Sequence, residues 1–277
     1  MFPRRLSILL PVVLFCTAAH AQKAADLVQA QLIADTTHIE PGKTFRAAVR
    51  FTIAPDWHIY WKHPGETGLP TTVKLDLPEG FTTAPVLYPV PKLFDQFGQV
   101  TGYGYGEEVL LLIDITAPEK IDGSTVSFNG RASFLVCEKV CIPGSSQLSL
   151  TLPVGTAAPS SDSEHIASWS AKLPKHAEPK EVTGALAAAG TPVDFSVTVP
   201  LEGPVTDLQW FAQTPDALSL TDSALTSDET SATICFKAKV LSGFELKNST
   251  LPILVAYTDS HGVRGGVELD VPLRKAE

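Results

Sequence analysis

The sequence predicts an all-β protein built as two β-sandwich domains joined by a linker and one short helix. Short runs rich in Val, Ile, Thr, Phe and Tyr recur along the chain, separated by corners such as Pro41-Gly42, Pro64-Gly65 and Pro78-Glu79-Gly80. Helical spacing is rare, and Met occurs only once. The 277 residues are 44% hydrophobic and 18% charged, which excludes a disordered chain and allows one or two domains with real cores. A formal net charge of −9 argues against nucleic acid and anionic membrane surfaces as main partners.

Residues 1–21 read as a cleavable export leader. Arg4 and Arg5 form the basic start, Leu6 to Ala18 the apolar centre, and Ala19-His20-Ala21 the small-residue cleavage site, so Gln22 is the expected mature start. Acylation at Cys16 is the alternative, and Phe15 stands where that route needs a small residue. No later stretch reaches the roughly 18 apolar residues of a membrane span. The expectation is therefore an exported, soluble protein, more acidic still once Arg4 and Arg5 are removed.

Strands are expected at 27–36, 44–54, 57–61, 71–77, 107–115, 124–135 and 146–153, a sandwich-like spacing over residues 22–155. Residues 84–106, rich in Pro, Gly and aromatics, read as a long loop, and loops of that length are usually functional. Residues 156–180 form the linker. Within it 163–173 is the short helix, with Ser163 as its cap and Ile166, Trp169 and Leu173 on one face. A second, smaller sandwich over 181–277 has strands at 193–199, 205–212, 231–240, 251–258 and 264–272. It holds no motif for chemistry and reads as a structural or docking module.

Without Cys16, three cysteines remain: Cys137, Cys141 and Cys235. An oxidising compartment favours disulfides, and an odd count leaves at least one thiol over. Cys235 lies in the strand-like run Thr233–Val240 and reads as a buried, inert core thiol. Cys137-Glu138-Lys139-Val140-Cys141 is the strongest local signal. In a straight strand the two Cα atoms would lie about 13 Å apart, whereas a bridge needs roughly 4.4–6.8 Å. A bridge therefore requires a turn, either a tight hairpin or a helical turn. Such a short closed loop stabilises a fold by only ~2 kcal/mol, which makes a purely structural staple a weak use of two cysteines. Zinc or copper held by this pair with His58 and His63 is a further alternative, but the spacing fits no standard zinc pattern. The histidines otherwise read as surface or hydrogen-bonded residues. No Gly-x-Ser-x-Gly, His-Glu-x-x-His or phosphate-loop motif occurs.

The run Trp57-His58-Ile59-Tyr60-Trp61, continuing through Pro64-Gly65, Gly68 and Pro70-Thr71, resembles the periplasmic N-terminal domain of DsbD/ScsB-type thiol:disulfide interchange reductases. So do Tyr88-Pro89-Val90-Pro91, Gly102-Tyr103-Gly104-Tyr105 and the Cys137/Cys141 pair followed by Ile142-Pro143. The resemblance covers roughly 28–155, and the remainder is similar to the extra region of ScsB-like members, with weaker motifs.

The resemblance implies an immunoglobulin-like fold with the two cysteines on neighbouring strands. It implies Cys141 as the cysteine that forms the mixed disulfide and Cys137 as the resolving one, with no organic cofactor or metal. It implies an aromatic cap, Phe94 or Phe97, within Leu93–Gly98. Tyr103, Tyr105, Ile142 and Pro143 are the expected cap or partner-binding residues. Lys139 would favour a thiolate and Glu138 oppose it. The implied partners are periplasmic thioredoxin-fold proteins; as no membrane span follows the leader, the expectation is either a separate membrane protein as electron source or a stand-alone relative with another role. The rival expectation is a non-catalytic immunoglobulin-like binding module with a structural disulfide.

Overall fold

The computed structural model describes residues 23–65, 67–96, 100–243 and 250–274. The expected leader, with Cys16, and the candidate cap Phe97 lie outside the described residues. Of the described residues 58% are strand and 5% helix, an all-β fold of antiparallel sandwiches.

After a short helix α1 (Ala24–Leu27) come β1 (Val28–Ala34), β2 (Thr44–Ile53), β3 (His58–Gly65), β4 (Thr72–Asp76) and β5 (Thr82–Thr83). They are followed by β6 (Lys92–Gln96), β7 (Val100–Gly106), β8 (Glu108–Thr116), β9 (Thr125–Cys137) and β10 (Cys141–Pro153). One sheet runs β1-β2-β8-β5, and the facing sheet runs β10-β9-β3-β7-β6 with β4 also on β9. Alternation along β9 sends Val126, Phe128, Ala132, Phe134 and Val136 inward. Phe128 and Phe134 meet Phe45 and Phe51 of the other sheet edge-on, at 5.8 and 6.1 Å between centroids.

The continuous apolar run Val109–Ile113 in β8 is explained by burial on both faces. Val109, Leu111 and Ile113 join the sandwich core, while Leu110 and Leu112 pack under Ile166 of helix α2 (Ser163–Ser170). Trp169 and Leu173 pack there too, as the helical spacing predicts. The helix is shorter than expected, and its N-cap is Asp162, because Ser163 is already helical and gives its hydroxyl to the Ser160 carbonyl.

The second half contains β11 (Lys175–His176), β12 (Glu181–Thr183), β13 (Val193–Pro200), β14 (Thr206–Ala212), β15 (Leu218–Ser227), β16 (Ser231–Val240), β17 (Thr250–Thr258) and β18 (Arg264–Pro272). Its sheets run β11-β18-β17-β14 and β12-β13-β16-β15, around a core that includes stacked Phe195 and Phe236. The outward face of β14 and β17 is not left to solvent. Phe211, Leu254 and Ala256 enter the same apolar cluster as Trp61, Val90 and Tyr105 of the first half. Phe211 meets Trp61 at 6.1 Å and Tyr103 at 4.9 Å between centroids. Lys62 pairs with Glu268 across the same junction.

Residues 84–106 differ most from expectation. They are not one loop, because 92–96 and 100–106 form the antiparallel ribbon β6–β7 on the edge of the cysteine-bearing sheet. Gly104 is what lets β7 lie against β3. A Cβ there would sit 2.1 Å from the Ile59 carbonyl oxygen, a backbone atom that cannot move aside. Gly104→Ala is expected to loosen the β3–β7 pairing and destabilise the protein by about 1–3 kcal/mol, read as a lower midpoint in a denaturant melt.

Candidate functional site

Register builds the site. The last residue of β9, Cys137, and the first of β10, Cys141, are cross-strand partners with Cα atoms 4.2 Å apart, and they are bridged. The hairpin alternative is thus the one adopted, with Glu138 N–H donating to the Val140 carbonyl across the turn at 3.2 Å. On the other side Cys137 is in register with His58, and His58 with Gly106. The row Gly106, His58, Cys137, Cys141 therefore crosses four strands. Residues in one antiparallel row share a face. The next row, Tyr105, Ile59, Val136 and Ile142, turns to the opposite face and into the core.

The two sulfurs sit in different surroundings. Cys137 is fully buried, and Cys141 is exposed. The buried Tyr60 hydroxyl donates to Cys137 Sγ at 3.3 Å. Tyr60 is held in turn by the chain at Gly68, where a Cβ would lie 2.3 Å from the phenol ring. His58, 5% exposed, meets Tyr60 edge-on at 5.4 Å and is stacked by Phe94 at 4.4 Å and 14°. The Phe94 ring also lies beside Gly106, 3.6 Å from where a Cβ would be, an ordinary van der Waals distance. Burial holds the His58 imidazole below its ordinary pKa, so it is neutral at pH 7. At the hairpin tip Lys139 pairs with Glu138 at 3.2 Å, so neither charge acts alone on the cysteines. Val140 in the tip and Leu69 beside Gly68 are 60% and 58% exposed, apolar surface on two segments that border the site.

Of the expected cap residues, Phe94 lies over His58, at the Gly106 end of the row. Tyr103 and Tyr105 are not on the cysteine face. Tyr103 packs on Phe211, and Tyr105 is buried with its hydroxyl given to the Pro89 carbonyl at 2.7 Å. Burial raises the Tyr105 phenol well above its ordinary pKa. Of the other two expected partner-binding residues, alternation turns Ile142 toward the core and leaves Pro143 exposed. Pro143 is in register with Leu135 on a strand at the sheet edge, where a missing N–H is tolerated.

His63 faces Trp61 rather than joining His58, and its pKa is lowered by burial and then by Lys62. Among the described residues no group of three His, Cys, Asp or Glu side chains is placed to hold a metal ion. Cys235 is free but exposed, not buried. Ala232, Ile234, Phe236 and Ala238 take the core face of β16, so residue 235 faces out.

The contacts of His58 and Tyr60 with the pair were not expected from sequence. The signal available was their parity: residues 58 and 60 share a face of β3, with Ile59 and Trp61 on the other.

Two measurements follow from this geometry. A thiol-specific chromogenic reagent should count a single thiol in the native, unreduced protein, at Cys235, and Cys235→Ser should abolish the signal. A neutral buried His58 binds a proton more weakly when folded than when unfolded. Stability contributed this way is therefore lost as pH falls below about 6.5. Thermal midpoints between pH 7 and pH 5 should drop less steeply in His58→Gln than in the parent.

Residues 24–153 match the family described as thiol:disulfide interchange protein DsbD, N-terminal. Among solved structures, the N-terminal periplasmic domain of ScsB from Proteus mirabilis superposes with a TM-score of 0.63 at 18% identity, covering 91% of this chain and 95% of that one. At that identity the likeness establishes the fold, and its coverage spans both sandwiches. The major pilin subunit of Bacillus cereus aligns at a TM-score of 0.29 and 9% identity over 88% of this chain and 66% of that one, too distant to bear on the fold. No curated protein sequence matches the chain. The comparisons thus give residues 24–153 a match to the N-terminal domain of thiol:disulfide interchange protein DsbD, and the two-sandwich fold a likeness to the periplasmic domain of ScsB.

Proposed function

We propose that the protein exchanges a dithiol for a disulfide at Cys137 and Cys141 with thioredoxin-fold partners in the periplasm. The observation that carries this reading is the asymmetry of the pair, with an exposed cysteine bridged to a fully buried one beneath a tyrosine hydroxyl. A partner thiolate attacks Cys141 Sγ, the S–S bond breaks, and the electron pair leaves on Cys137. A thiolate forming in a dry site is costly, and the Tyr60 hydroxyl already points at that sulfur to receive the charge. A second partner thiolate then attacks the partner's own sulfur in the mixed disulfide and frees Cys141. The partner leaves oxidised, and this protein holds both electrons as a dithiol. Toward an oxidised acceptor the steps reverse, with Cys141 attacking and Cys137 resolving.

Phe94, stacked on the neighbouring His58, is the proposed cap, and Val140, Leu69 and Pro143 offer apolar surface for docking. The chemistry calls for no organic cofactor or metal. A separate membrane protein is the proposed electron source. The proposed division is a leader over 1–21, the exchange domain over 22–155, a connector over 156–180 and an accessory sandwich over 181–277.

Cys137→Ser is expected to trap a mixed disulfide through Cys141 with a thioredoxin-fold protein, and Cys141→Ser is not. Attack by a neighbouring thiol in the same turn is effectively unimolecular, so the intermediate accumulates only when Cys137 is absent. Non-reducing electrophoresis of each mutant with a periplasmic extract reads this. Trapping by Cys141→Ser alone would reverse the roles. No trapping with either variant, together with a reduction potential below about −300 mV, would mark the bridge as structural.

A further inference from the structure

We propose that the cavity where the end of helix α2, the root of β6 and strand β18 meet is a binding site for a small organic carboxylate. Neither cysteine lines it, and the proposal does not depend on the exchange reading.

Backbone geometry gathers three cations at this point. Val90 N–H donates to the Lys172 carbonyl, just beyond α2, at 3.0 Å. The carbonyl of the next residue, Pro91, accepts from Arg264 Nη2 of β18 at 2.9 Å. Lys92 follows and opens β6. Lys92, Lys172 and Arg264 thus converge from three distant parts of the chain, and all three line one cavity of about 310 Å³. That volume falls at the small end of the roughly 300–1,000 Å³ typical of small-molecule sites.

These cations lack counter-charges. Among the described residues none of the three forms an ion pair with a carboxylate. Lys172 Nζ lies over the Trp169 ring, 3.7 Å from its centroid, against an aromatic face rather than an acid. Arg264 Nη2 donates to two neutral oxygens, the Pro91 carbonyl and Gln209 Oε1. Burial pushes the Arg264 guanidinium below its ordinary pKa, with Asp207 acting in the other direction, as expected of a cation short of negative charge. Two acids share the wall, and neither supplies that charge. Glu108 is engaged by His165, at 2.9 Å between Oε2 and Nε2, and Glu107 is exposed. A carboxylate entering the cavity would accept charge-assisted hydrogen bonds from more than one donor. Val90, Tyr105 and Trp169 complete the lining with apolar surface, which suits the body of an organic anion better than a bare inorganic one.

The probe is benzoate, with benzamide as its neutral counterpart and sulfate as an anion without an apolar body. Each is titrated into the isotopically labelled chain from Gln22 onward, and the tryptophan indole N–H signals are followed by NMR, with Trp169→Phe to assign the relevant one. Benzoate should shift the Trp169 signal saturably with a Kd of about 1 mM, the strength expected of so small a ligand. The signals of Trp61 and Trp210, which do not line the cavity, should stay in place. Benzamide and sulfate should each bind at least about tenfold more weakly. Arg264→Gln and Lys172→Met should each weaken benzoate about tenfold, the effect of losing one charged hydrogen bond. Lys92 is exposed, so Lys92→Gln keeps the test available if the other variants fold poorly, and it should weaken binding severalfold. Lys237→Gln, which breaks an exposed ion pair with Asp222 on the far sheet, should leave it unchanged. No saturable Trp169 shift with benzoate up to roughly 20 mM, far above the expected Kd, overturns the proposal. So does benzamide or sulfate binding as tightly as benzoate. Parent-like affinity in both Lys92→Gln and Lys172→Met overturns it as well.

Discussion

The antiparallel register of β3, β9 and β10 is the constraint on which the rest depends. Side chains in a sheet alternate faces, so a slip of one residue would send Cys137 into the sandwich core and bring Val136 to the surface. Register is held where one face is dry, and here the inner face carries Ile59, Trp61, Phe134 and Val136. Core packing on one side of the sheet therefore fixes the chemistry on the other. The same alternation produces the inequality of the two sulfurs. Cys137 ends an interior strand beside His58, while Cys141 begins an edge strand.

Much of this was legible in the sequence because it rests on local pattern. The two sandwiches, the amphipathic helix under Ile166 and the turn between Cys137 and Cys141 follow from periodicity, punctuation and chain reach. The misreadings have particular causes. Glycines at 102, 104 and 106 and prolines at 85, 89 and 91 look like loop composition, yet Gly104 is what allows β7 to approach β3. Strand 218–227 escaped notice because it is an edge strand that stays mostly exposed and lacks apolar alternation. The Cys235 error was avoidable, since Ile234, Phe236 and Ala238 already claim the core parity of that strand. The pairing of His58 with Cys137 was out of reach, because contacts far apart in sequence leave no periodic trace.

The tyrosines show how a motif can be significant for a different reason from the one first assigned. Tyr103 and Tyr105 sit in the segment that resembles the redox family, but both face away from the sulfurs. Their phenol rings fill the back of the sheet, and the Tyr105 hydroxyl ties the ribbon to its own root. They serve the site by holding its floor.

The junction between the sandwiches has a consequence for how the protein behaves outside its native state. Phe211, Leu254 and Ala256 belong to the first core as much as to the second sandwich. Cutting the chain at the connector would bare Trp61, Tyr103 and Val90 on one piece and those three residues on the other. Each fragment would present a contiguous greasy patch of the kind that drives self-association. The two halves are thus poor candidates for independent modules. Denaturation should proceed as a single cooperative event, despite a sequence that reads as two beads on a string.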